Sequence, residues 1–431
     1  MHKLTRPRAE PAVAHTALRP AVAANAGPLE GSADGRPRVA VSWPGGRSGD
    51  AHPDVHLRLR SARQLALLAD GRAGELAEAY VAGQLDIDGA PADVMAVAAL
   101  LIGDPLQPPP GSARWRALAA LRSRWAHRAA RDERQVRFHY DLGDAFFALW
   151  LDPLRVYSCA YWREPGLTLA EAQQAKLELV CRKLQLQPGQ RFLDVGAGWG
   201  ALLLWAARHH GVQGVGITLS RQQHAHVERL IQDHGLRGQV EVRLADYRAL
   251  DPARERFDRI ASVGMFEHVG RARLPGYFAR LHALLRPGGL LLNHGIAAGG
   301  LDNPELGAGL GRFIERHIFP GGELVHLAHG AEALARGGLE LLDVENLRPH
   351  YARTLWAWSD ALEAVRERAR AVSSEATVRA YRLYLAGSAL GFERGWLQLY
   401  QLLAARPGAT VPPRRWAARC DYPFTRAHMA A

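Results

Sequence analysis

Two periods of hydrophobic and polar residues alternate along this chain, and the changes of period outline its organisation. Val55, Leu57 and Leu59 alternate with polar residues, as in a half-buried strand. A helical stretch follows around 76–81 and ends in the segment 83–89. From about residue 135 the pattern is regular. Thr168 and Glu171 have the spacing of a capping box, ahead of a helix carrying Leu177, Val180 and Leu184. An apolar strand at 191–195 leads into a glycine-rich turn and a helix at 201–209. Further strands are predicted at 215–217, 240–243, 259–263 and 290–293, most of them separated by helices. Strands alternating with helices imply an α/β fold, with a mainly parallel sheet covered on both faces.

The segments between these patterns set the boundaries. Residues 1–36 are rich in Ala, Pro and Gly without periodicity and read as a disordered tail. Residues 37–104 read as a small α/β domain, 105–134 as a basic linker, 135–405 as the main domain and 406–431 as a tail. The linker opens on a proline run and then places Trp115, Leu118, Leu121 and Trp125 on one side of a helix, among many arginines. It fits an exposed connecting helix, or a membrane-surface contact with Trp at the interface and Arg on lipid phosphates.

Composition narrows the partners. The formal charge of +11, from 54 basic and 43 acidic residues, favours nucleic acid, an anionic membrane or an acidic small molecule. An Arg-, Ala- and Leu-rich chain from a GC-rich genome would show the same bias. Cys159, Cys181 and Cys420 form no CxxC pair, which argues against a metal site or a disulfide framework and fits a reducing cytoplasm. No apolar run approaches the ~18 residues of a membrane span, and the N-terminus lacks a signal-peptide core. Any membrane contact is then expected to be peripheral.

The strongest motif is LDVGAGWG at 193–200, where glycines let the backbone turn tightly and approach a ligand. Dinucleotide-binding folds share it, but they place an acidic residue ~20 residues further on. Here the next strand ends in GITLS at 216–220, with no acid, so a dehydrogenase is disfavoured.

Taken together, YSCAYW at 157–162, the glycine motif, GITLSRQQ at 216–223, ADYR at 245–248 and GMFEHVG at 264–270 resemble the cyclopropane fatty acid synthases, a family that includes the mycolic acid cyclopropane synthases. HYDLGDAFFALWLD at 139–152, FPGGEL at 319–324 and ENLRPHY at 345–351 extend the resemblance over roughly 135–405. The segment 74–89 resembles the N-terminal, lipid-interacting domain of the longer bacterial members. Mycobacterial relatives are expected to lack that domain, so the phospholipid enzymes are the nearer analogy.

The resemblance implies a Rossmann-like S-adenosylmethionine-dependent methyltransferase fold. It also implies a reaction, the transfer of methylene to the cis double bond of an unsaturated phospholipid, giving a cyclopropane ring. The implied cofactor pocket comprises Tyr157 and Ser158 at the methionine part, Asp194, Gly196 and Gly198 beneath the cofactor, Thr218 and Gln223 near the ribose, and Asp246 and Tyr247 at the adenine. Gln223 also fits a helix cap with Ser220, and Tyr247 also fits plain core packing. The implied base is a bound bicarbonate, held by Cys159, Glu267, His294, the backbone N–H near Ile296, and Tyr351, with His268 and His350 in support. Such a base must remove a proton from the newly attached methyl in a dry site. A lone Cys is ordinarily a small buried hydrophobe, and a lone His at a strand end ordinarily structural. Cys159 is expected to line the pocket, not to attack.

Five positions depart from the family pattern: Asp144 where Asn is usual, Ala145 where an acid is usual, Ala197, Ala245, and Gly295 where Thr is usual. The resemblance further implies a homodimer on the inner face of the cytoplasmic membrane, with an anionic lipid surface as partner. Three rivals remain. The product could be a methyl-branched or methylene acyl chain, or the chain could be a non-catalytic lipid-binding protein. It could also methylate nucleic acid, but the (Asn/Asp)-Pro-Pro-(Tyr/Phe) motif common in amino-methylating enzymes is absent, so no nucleic-acid partner is expected.

Overall fold

The computed structural model describes residues 36–102, 106, 144–301, 309–320, 322–408 and 426–429. Nearly all of the tail 1–36 and of the linker 105–134, including its Trp and Arg residues, the start of the 139–152 motif, Cys420 and most of 406–431 lie outside these residues.

The chain divides into two compact units. The first carries strands β1 (Val39–Trp43), β2 (Gly46–Gly49), β3 (Val55–Leu59) and β4 (Leu85–Asp88) in the order β2-β1-β3-β4. Its helices are Ala62–Ala69, Ala73–Val81 and Pro91–Ile102. Val55 and Leu59 are buried at the two ends of β3. Ser61 and Gln64 close a capping box that starts the first helix immediately after that strand.

The second unit is built on strands β5 (Arg191–Val195), β6 (Gln213–Thr218), β7 (Val240–Leu244), β8 (Phe257–Val263), β9 (Leu285–Ala298), β10 (Glu340–Asn346) and β11 (Leu397–Ala405), in the order β10-β11-β9-β8-β5-β6-β7. β5 through β9 pair in parallel, whereas β11 runs antiparallel between β9 and β10. Phe192 to Val195 are all buried, as a central parallel strand covered on both faces requires. One core layer packs Phe192 with Leu177, Val180, Leu203, Val227 and Leu292. The other packs Leu193 and Val195 with Ile260, Phe278, Leu281 and Leu291. Each such side chain contributes about 1.5–3 kcal/mol when fully buried.

The strand order reverses at β5, and the carboxyl ends of β5 and β8 flank the crevice where open α/β sheets bind ligands. The glycine motif follows β5 at this crevice. β9 is longer than the apolar run at 290–293 predicts, and His294 lies within the strand, not at its end. The reason is β11, which pairs with β9 from Ala298 to Leu290 and so holds residues 294–298 extended. Among the described residues, no helix is long and apolar enough to cross a membrane.

Candidate active site

The glycine loop turns through positive φ at Gly196 (83°) and Gly198 (54°), a region that favours glycine. The N–H groups of Gly196 and Ala197 both donate to the carbonyl of Ile217, at 3.0 and 2.9 Å, tying the loop to β6. The two glycines differ in surroundings. A Cβ on Gly196 would lie 2.5 Å from Cγ of Met265, whereas one on Gly198 would meet no atom within 4 Å. Packing within the protein thus accounts for Gly196, and Gly198 borders open space.

At the end of β6, the Thr218 hydroxyl donates to Oε1 of Gln223 at 2.7 Å and accepts the Ser220 N–H at 3.1 Å. Ser220 in turn caps the helix Arg221–Asp233 by accepting the Gln223 N–H. Only half of the expected S-x-x-Q box forms, because Thr218 has taken the Ser220 N–H that the Gln223 carboxamide would have bound. The Gln223 Nε2 group is left buried without a partner. A buried amide donor aimed away from its own helix cap suits a ligand oxygen. Asp246 behaves differently, since Arg248 binds both its carboxylate oxygens. Tyr247 packs edge-on against Tyr277, with ring centroids 5.0 Å apart.

The YSCAYW loop is pinned by the helix Arg348–Ala364. The Thr354 hydroxyl accepts from the Ala160 N–H and from Trp162 Nε1, and His350 Nδ1 accepts the Trp162 N–H at 2.9 Å. His350 therefore serves the loop's geometry. Tyr157 stands against Phe147, Trp150 and Trp358, at 5.2, 5.7 and 5.3 Å between ring centroids. Tyr351 packs on Phe392 and Trp358 in the same aromatic wall. The Ser158 hydroxyl accepts from Nζ of Lys176 at 2.9 Å. Burial pushes the Cys159 thiol up, so it is neutral and poorly suited to nucleophilic attack.

Glu267 is bonded to β9, the strand that carries His294. Oε1 of Glu267 accepts the Ile296 N–H at 2.6 Å, and its Oε2 is buried without a partner. The Ile296 N–H expected to face a bound anion is thus held by Glu267 in this structure. His294 Nδ1 faces Nε2 of Gln401 at 3.2 Å, while its Nε2 is buried and unpartnered. Burial raises the Glu267 carboxyl to about 7, with the Ile296 hydrogen bond opposing. Burial, aided by Lys176 and Lys183, lowers His294 to about 3. His294 is therefore neutral near pH 7, and Glu267 is poised between its two forms. A neutral imidazole N–H and a free carboxyl oxygen can hold a small oxyanion, one as donor and the other by sharing a proton.

Sequence reasoning did not single out Lys176, Lys183 or Gln401. Both lysines are buried on the helix Leu169–Lys183, at 2% and 1% exposure. Burial lowers Lys176 to about 8, with the nearby Asp152 and Asp194 among the groups opposing. Asp194 is itself raised to about 7 by burial, with Lys176 opposing. A signal was available: Gln173, Lys176 and Lys183 share the helical face of Leu177, Val180 and Leu184. Among the described residues, no group of three His, Cys, Asp or Glu could hold a metal ion.

The sheet order, the glycine loop at the switch point and the buried donors around it define an S-adenosylmethionine-dependent methyltransferase. Residues 127–402 match the family described as mycolic acid cyclopropane synthetase, and the chain belongs to that family. A probable fatty acid methyltransferase of Pseudomonas putida is 41% identical over 382 residues, covering 88% of this chain and 92% of its own length. A probable fatty acid methyltransferase of Mycobacterium tuberculosis is 35% identical, with 88% and 94% covered. The crystal structure of the mycolic acid cyclopropane synthase CmaA1, complexed with SAH and CTAB, superposes with a TM-score of 0.60 at 39% identity, covering 63% of this chain and 98% of that one. The second of these relatives corrects one expectation. A mycobacterial protein matches nearly the full length, so an N-terminal extension does not set this chain apart from mycobacterial relatives.

Proposed function

We propose that this enzyme adds a methylene group across the cis double bond of unsaturated phospholipid acyl chains, with bound bicarbonate as the base. The observation that carries the reading is the pair of buried, unpartnered atoms, Nε2 of His294 and Oε2 of Glu267. In the proposed reaction the cofactor supplies an electrophilic sulfonium methyl, and bicarbonate supplies a basic oxygen. The chain's own residues do the rest. Gly198 leaves room for the cofactor's approach, and Gln223 Nε2 offers it a donor. Tyr157, Trp358 and Tyr351 exclude water and present aromatic faces that favour a developing cation. His294 and Glu267 orient the anion so that the proton leaves from the new methyl group and the ring closes.

The test is incubation of the full chain with methyl-labelled cofactor and vesicles of unsaturated phospholipid, in carbonate-depleted buffer with bicarbonate added back. Label in cyclopropyl lipid, at a rate that rises with bicarbonate, is the expected result. Methylene and methyl-branched unsaturated products also add one CH2, so proton NMR must supplement mass. The names of the two long relatives favour a second reading, in which the cation is quenched to a methyl-bearing chain without a ring. Vinylic or methyl-doublet signals in place of upfield cyclopropyl ones would decide for it.

The reading includes work as a homodimer at the inner, anionic face of the cytoplasmic membrane. The excess of +11 supports attraction to such a surface. Vesicle binding should weaken with salt, and should weaken again when Arg114, Arg116, Arg122 and Arg124 are neutralised together. Unchanged binding would return that segment to a plain linker.

A further inference from the structure

Three residues stand directly opposite one another across three neighbouring strands. Glu345 of β10 pairs with Gln401 of β11, and Gln401 pairs with His294 of β9. Directly opposed residues project on the same face of a sheet. Over this row lies Lys183, the last residue of its helix. Its ammonium contacts Glu345, donates to Oε1 of Gln401 at 2.7 Å, and lies 4.0 Å from Asp343.

The row has a direction. A lysine ammonium has three donors and no acceptor, so the amide atom of Gln401 that faces it must be the oxygen. The amide nitrogen then faces His294, and an NH2 group only donates. Nδ1 of His294, 3.2 Å away, must accept. The proton of the neutral ring is left to Nε2, the atom that is buried without a partner. We propose that Lys183 and Gln401 are positioning residues that lock His294 in its Nε2–H form, so that this N–H is available to the bound anion. The proposal rests on the anion-site reading above. Glu345 opposes the effect of burial on Lys183 and favours its charged form, and an uncharged amine would lose the donor-only character that orients the amide.

The test uses the full chain with nitrogen-15 in its histidines, because ring nitrogen shifts report which atom carries the proton. Wild type should show His294 protonated at Nε2 alone. In Gln401→Glu, which is nearly isosteric and keeps a partner for Lys183, a carboxylate faces the ring and Nδ1 should gain the proton. The bicarbonate concentration for half-maximal rate should then rise about 10- to 100-fold, the worth of one hydrogen bond to a charged group, with cofactor affinity unchanged. If Gln401→Glu does not fold, Lys183→Met carries the test, since the unanchored amide can flip and the Nδ1–H form should increase. A ring that stays Nε2–H in the folded variant, with an unchanged bicarbonate response, overturns the proposal. The nitrogen spectrum needs no bicarbonate. A proton that moves as expected in an enzyme indifferent to bicarbonate would leave the relay standing and sink the anion-site reading.

Discussion

The two carboxyl oxygens of Glu267 differ in their partners: Oε1 accepts the Ile296 N–H at 2.6 Å, and Oε2 is buried with no partner. One oxygen pins the short turn Phe266–His268 to β9, and the other is available to a ligand.

This division makes Glu267→Gln informative. The amide oxygen can keep the Ile296 bond, so the fold and cofactor affinity should survive. The other position becomes an NH2, which cannot share a proton with an anion as a carboxyl does. Turnover should fall by roughly 10²–10⁴-fold, the range of positioned acid–base catalysis. Initial rates against bicarbonate, with cofactor binding followed by calorimetry, check both halves. A fully active variant would remove Glu267 from the chemistry.

The same substitution has a stability signature. Burial raises the Glu267 carboxyl from 4.5 to about 7, so between these values the folded chain holds a proton that the unfolded chain has released. Stability tied to this group is complete below pH 4.5 and is lost as pH rises through 7. At 1.36 kcal/mol per unit, the ceiling is about 3 kcal/mol. Relative to wild type, Glu267→Gln should therefore be more stable at pH 8 than at pH 5. Denaturant unfolding at the two values measures it, and a difference that does not change with pH would contradict the buried carboxyl.

Gly198→Val should weaken cofactor binding by at least about 100-fold. No protein atom lies within 4 Å of the added Cβ, so the side chain enters the space beside the loop. Because φ is 54° and β-branched residues resist that conformation, Gly198→Ala serves as the milder control. Near-normal affinity in both folded variants would separate this loop from the cofactor.

Gly295 stands where the resemblance leads one to expect Thr, and its surroundings favour glycine. A Cβ there would stand 2.8 Å from Cβ of Phe266, in the turn that carries Glu267. Gly295→Thr should cost about 1–3 kcal/mol through overpacking, and should lower turnover by displacing that turn. A variant as stable as wild type would show that the turn has room to shift.

The parallel half of the sheet was legible in the sequence because its strands are apolar runs bounded by turns and helices. The glycine motif located the switch point for the same reason. β10 and β11 were not, because β11 is set by tertiary pairing: Gln401 and His294 are 107 positions apart and meet only through the antiparallel insertion. The buried lysines were missed for a different reason. Lys176 and Lys183 fall on an apolar helical face, but lysine at such a position is usually expected to reach solvent, and here each is enclosed with polar partners on other elements. The half-formed cap at Ser220 shows the limit of a spacing rule, since Thr218 competes for the same N–H.

β11 lies between two strands that are both made before it. Until residues 397–405 have been synthesised, β9 lacks its outer neighbour and His294 has no amide to orient it. A nascent or truncated chain would hold the glycine loop and most of the parallel sheet, yet expose a long apolar strand edge, a template for pairing with other chains. The enzyme should therefore become competent late in its synthesis, and loss of this one strand should lead to aggregates before it leads to a slow enzyme.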